Sequence, residues 1–131
     1  MAATGRGGAA PVQAGPARWP GAAGGFLAAL AIGLSAYAAH GVDDPHARDR
    51  LQTACLYAFG HGVALAALGP HALARLARAA LAVLLLGILL FCGSLAGAAL
   101  AGWPTRLAPA GGTLMMAGWL LWAASALMAR R

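Results

Sequence analysis

Charge is what this chain has least of. Only 9% of its 131 residues are charged, where a soluble domain carries roughly a quarter. Lysine is absent, and the acidic residues are three aspartates. A surface this poor in charge cannot keep a small globule dissolved, so an ordinary soluble domain is excluded and an integral membrane protein of one domain is expected. Cysteine is scarce as well. Cys55 and Cys92 lie in hydrophobic runs and match no CxxC or Cys/His ligand spacing, which reads as two buried free thiols. No nucleophile–base pair, phosphate loop or paired carboxylates are found. Asp43, Asp44 and Asp49 cluster in and just after one loop, too few oxygens for a metal site of their own. The expectation is a protein that is not an enzyme and holds neither cofactor nor metal.

What the chain has is hydrophobic residues, 61% of the total, with a mean hydropathy of +0.73. Its net charge of +6 comes from nine arginines. They are spread over segment ends and form no block or stripe, so nucleic-acid binding is not read from them; they fit the flanking charges that orient membrane helices. Arginine without lysine, beside abundant Ala and Gly, matches a GC-rich genome and a bacterial cytoplasmic (inner) membrane.

Residues 1–18 are Ala, Gly and Pro with Arg6 and Arg18. They lack periodicity and read as a disordered tail. Residues 19–131 read as a four-transmembrane-helix domain, with spans at about 21–39, 53–69, 79–101 and 107–128. Trp19–Pro20 and Trp103–Pro104 mark interfaces, since Trp favours the headgroup level and Pro a helix boundary. A signal peptide ending near Ala36–Tyr37–Ala38 is the rival for the first span; that apolar run is longer than a usual signal-peptide core. Asp43 or Asp44 before Pro45 predicts an N-cap and a helix start near Pro45, with exposed first turns through His46, Arg48, Asp49, Arg50 and Gln52.

Small residues recur at packing intervals. Gly21, Gly25, Ala29 and Gly33 form a small-xxx-small ridge; Gly93, Gly97 and Ala101 form a second; Gly111, Gly118 and Ser125 recur every seven residues. Such ridges let helix backbones approach closely. They motivate a homo-oligomer or a membrane-protein partner in addition to the lipid bilayer. Short loops predict antiparallel neighbours in an all-α four-helix bundle. Arginine counts place both termini in the cytoplasm.

The second span carries a polar stripe. Arg50, Thr53/Ala54, Tyr57 and His61 fall on one side at helical spacing, and an intramembrane histidine must face protein or a water-filled cavity. The other helices are therefore expected to cover it. His40, at the end of the first span, is the other candidate. Three readings stand side by side. In the structural one, a neutral His61 bonds to a facing carbonyl, hydroxyl or tyrosine and fixes helix register, and His40 caps the first span. In the second, His40, Arg50, Tyr57 and His61 line a small-solute or proton pathway. In the third, His40 and His61 ligate haem or metal. Depth opposes the third: from a start at Pro45, His61 lies about 24 Å along its helix, whereas ligands must come within about 2 Å of a metal. His46 and His71 read as solvated.

Several pieces, in order, resemble one family: Ser35–Gly41, Thr53–Ala54 with Tyr57 and His61–Leu65, Gly87–Leu95, and Pro109–Gly112 with Gly118–Trp119. The chain resembles the small four-span membrane proteins grouped as domain of unknown function 423, which include the transmembrane protein 256-like proteins. The resemblance implies a membrane location and four helices over residues 21–128, and no activity. Ala58 stands where that family often has a polar residue such as Gln, Gly60 where it often has an aromatic, and Ser35 where it has glycine. The polar stripe is thinner here for that reason.

Overall fold

The computed structural model describes residues 16–129, and the predicted tail lies almost wholly outside them. Four helices follow one another: α1 Trp19–Gly41, α2 Pro45–Leu68, α3 Arg75–Ala101 and α4 Ala108–Met128, with a 3-10 turn at Gly69–His71. All four are long and apolar enough to cross a membrane. At 1.5 Å per residue even α4 exceeds the roughly 30 Å hydrocarbon core. Phe26, Leu56 and Leu120 are each about 70% exposed, which suits hydrocarbon and not water.

The boundaries have local causes. Pro20, Pro45 and Pro109 sit in the first turns of their helices, where a missing N–H costs nothing. The Asp44 carboxylate accepts from the Ala47 N–H at 2.9 Å, the N-cap bond expected before Pro45. Arg48 does not turn to the neighbouring aspartate. Its Nε and Nη2 donate to the Val42 carbonyl at 3.0 and 2.7 Å, tying the start of α2 to the end of α1. α3 stops at Gly102, whose φ of 68° is left-handed, a conformation only glycine adopts freely. The turn folds the Trp103 ring back over Gly97.

The helices pack as two antiparallel hairpins, α1 with α2 and α3 with α4, joined face to face by α2 and α3. α1 and α4 share no substantial interface, so the bundle is open between them. Leu27, Leu65, Ala72, Ala77, Leu81, Leu84, Ile88 and Met115 form one core cluster. Ala31, Ala38, Leu51, Cys55 and Ala58 form a second. Both cysteines are free thiols, Cys55 buried and Cys92 half-buried.

Each hairpin closes on a pair of glycines. A Cβ on Gly24 would strike the Gly62 carbonyl oxygen, and one on Gly62 would lie 2.7 Å from the Gly24 oxygen. In the second hairpin, a Cβ on Gly87 would lie 2.9 Å from the Gly111 oxygen. One on Gly111 would lie 2.7 Å from the Gly87 oxygen and strike Phe91 N. Backbones this close gain dispersion and weak Cα–H···O contacts. The expected first ridge therefore shifts by one residue: Gly24 packs, whereas a Cβ on Gly21, Gly25, Gly33 or Gly93 would meet open space. Gly111, Gly118 and Ser125 do lie on the buried face of α4, and Gly97 meets Trp103.

Candidate functional site

The second span brings its histidine to α4. His61 is half-buried. The Trp119 indole Nε1–H donates to His61 Nε2 at 3.2 Å, and His61 Nδ1 lies 2.8 Å from the Tyr57 carbonyl oxygen one turn back. Because a carbonyl only accepts, the Nδ1 carries the proton and Nε2 offers its lone pair: one neutral tautomer satisfies both bonds. A protonated ring would leave no acceptor for Trp119. The site is thus a register pin between α2 and α4, with Trp119 as the facing partner.

Three further rings gather around it. Tyr57 stacks near His61, centroids 6.0 Å apart and planes 15° from parallel. Phe91 of α3 meets Tyr57 edge-on at 5.0 Å, a favoured aromatic geometry. Trp119 lies tilted at 6.0 Å from His61. Tyr57, His61 and Trp119 line two adjoining hollows of about 290 and 400 Å³ on the outer face between α2 and α4, and Phe91 lines the larger of them.

The other stripe residues are not gathered here. The neighbouring helices do not cover the stripe as expected: Tyr57 is 41% exposed, and Arg50 and Thr53 are exposed nearer the start of α2. Thr53 bonds back to the Asp49 carbonyl at 2.9 Å. His40 lies exposed in the last turn of α1, beside the start of α2 and away from His61. His46 and His71 are exposed. Among the described residues, no three His, Cys, Asp or Glu side chains converge on a point.

A second polar clasp was not legible as such. Ser35 Oγ donates to Gln52 Oε1 at 2.9 Å, and Gln52 Nε2 donates to the Ser35 carbonyl at 3.2 Å. Gln52 is half-buried against α1, not part of an exposed first turn. The available signal was its spacing three residues before Cys55, a buried residue on the same side of the helix.

A family model described as "Protein of unknown function (DUF423)" matches residues 34–112, the stretch that holds both Ser35–Gln52 and Tyr57–His61. The UPF0382 membrane protein C1782.12c of Schizosaccharomyces pombe is 36% identical over 101 residues, covering 69% of this chain and 86% of that protein. No solved structure matches the chain. With four spanning helices and these two likenesses, the chain belongs to the DUF423 family, multi-pass membrane proteins of unknown function.

Proposed function

We propose that this protein is a non-catalytic membrane component that acts by lateral helix packing, as a homo-oligomer or as an accessory to another membrane complex. The observation that carries the reading is the exposed ridge of α1. Gly21, Gly25 and Gly33 recur along it with open space above each, a close-approach surface that the chain's own helices leave unused. The polar groups within the spans support it from the other side. The Ser35–Gln52 clasp and the His61–Trp119 pin join helices to each other. With both ring nitrogens engaged, His61 is better suited to fixing register than to relaying protons or ligating a metal. The reading includes a cytoplasmic location for both termini and, in a bacterium, residence in the inner membrane, as the arginine distribution favours.

The test is cross-linking in native membranes, with wild type beside Gly25→Leu and Gly33→Leu. Discrete cross-linked species that disappear in the leucine variants, while the purified variants keep their helicity, are expected. Monomers alone, with no partner captured, would overturn the proposal.

A further inference from the structure

Arg75 and Arg78 stand where a helix ordinarily avoids cations. α3 begins at Arg75, its N-cap Ala74 supplies no side-chain cap, and its first turn holds no acidic residue. The helix dipole places partial positive charge at this end, which anions stabilise and cations do not. The two arginines are three positions apart and share a face, so they also repel each other. The three acidic side chains of the chain are too distant to relieve them. Asp43 and Asp44 precede α2 and Asp49 lies in its second turn, whereas α3 begins beyond the other end of α2. That end is about 28 Å from Asp49 at 1.5 Å per residue. Neither guanidinium takes part in the side-chain hydrogen bonds formed among the described residues.

The surroundings match a lipid headgroup. The connector from α2 to α3 is anchored by Ala72, 1% exposed and part of the core. It is anchored again at Gly69, where a Cβ would lie 3.0 Å from the Pro20 ring. That contact brings Arg18, exposed at the N-cap of α1, and Trp19 to the same end of the bundle. The connector turns Leu73 outward, 69% exposed, an apolar side chain at the level where acyl chains meet headgroups. Arg78 is half-buried and lies about 4.5 Å further along α3 than Arg75; its long stem suits apolar surface while the guanidinium reaches headgroup level. Guanidinium forks match phosphate oxygens in geometry and charge. The ammonium of a choline or ethanolamine headgroup would meet three arginines and no carboxylate side chain. The charge on this face therefore selects an acidic phospholipid over a zwitterionic one.

We propose that the start of α3 is a binding site for an acidic phospholipid. Its phosphate is held between the Arg75 and Arg78 guanidinium groups, Arg18 adds positive charge, and its acyl chains run beside Leu73. One bound anion offsets both the repulsion between the arginines and their conflict with the helix dipole. The site uses neither the α1 packing ridge nor any particular orientation of the chain in the membrane.

The full chain in maltoside micelles, titrated with phosphatidylglycerol or phosphatidylcholine and followed by native mass spectrometry, provides the test. The first phosphatidylglycerol is expected to bind about tenfold more tightly than phosphatidylcholine, and Arg75→Gln with Arg78→Gln to erase that preference. Arg50→Gln with Arg106→Gln removes the same charge from the opposite end of the bundle and is expected to retain it. Thermal unfolding gives a second readout. Without acidic lipid, the Arg75/Arg78 double variant is expected to unfold at the wild-type temperature or above, because it relieves the repulsion. With phosphatidylglycerol, only the wild type is expected to gain, as a ligand of the folded state requires. Should the double variant fail to fold, Arg75→Gln alone, at an exposed position, is expected to lose about threefold of the preference. Three results overturn the proposal: equal binding of the two lipids; equal losses in the two double variants, which would reduce the effect to net charge; or inorganic phosphate at fixed ionic strength stabilising the wild type as phosphatidylglycerol does, which would make the occupant a free anion.

Discussion

Trp119 donates its indole hydrogen to His61 across 3.2 Å, the bond that joins α4 to α2 although the two helices have no extensive interface. Its direction settles the histidine tautomer. Nitrogen-15 NMR of the labelled imidazole is expected to show a neutral ring protonated on Nδ1. A cationic ring, or a proton on Nε2, would contradict the pin. In a double-mutant cycle, His61→Ala and Trp119→Phe are expected to couple by about 0.6 kcal/mol, typical of interhelical hydrogen bonds in membranes. Unfolding in mixed micelles provides the measurement, and strictly additive effects would exclude the bond.

Gly24→Ala and Gly25→Ala differ by one position and should differ sharply in outcome. At Gly24 the new methyl strikes the Gly62 carbonyl and lies 2.7 Å from Ala66 N; at Gly25 it meets nothing. Overpacking of this kind costs about 1–3 kcal/mol, so Gly24→Ala is expected to lower the unfolding midpoint while Gly25→Ala leaves it within error. Gly111→Ala, set against the Phe91 backbone, should behave like Gly24→Ala. Equal stability of all three would refute the assigned helix faces.

Gln52 both gives to and accepts from Ser35. Ser35→Ala removes only the hydroxyl, because Gln52 still donates to the residue 35 carbonyl. Gln52→Ala removes both bonds. The serine variant is expected to lose about 1 kcal/mol or less and the glutamine variant more. The reverse order, read from the same unfolding experiment, would place Gln52 elsewhere.

The cap of α2 lies at its start, where water competes. Asp44→Ala deletes the acceptor of the Ala47 N–H and is expected to cost about 1 kcal/mol, whereas Asp44→Asn retains most of the stability. Hydrogen exchange at Ala47 is the direct readout: faster exchange in Asp44→Ala and near-native exchange in Asp44→Asn are expected.

Composition and hydrophobic length determined a great deal by themselves. Too little charge for water and four runs long enough for a bilayer make a four-span membrane protein, because those two properties act along the chain and need no knowledge of neighbours. The cap at Asp44 and the start at Pro45 were legible for the same reason: they depend on residues within one turn. Which glycines pack was not. Gly24 and Gly25 are chemically identical and adjacent, and only the rotation of α1 against α2 sets one on the Gly62 backbone and leaves the other open. The stripe of α2 was visible as a pattern, yet its fate was decided by helices distant in sequence. Trp119, 58 positions away, reaches His61, while among the described residues no side-chain hydrogen bond engages the Tyr57 hydroxyl. Sequence spacing fixes which residues share a face. It does not fix what stands opposite, because helix rotation and the open side between α1 and α4 follow from the packing of all four helices at once.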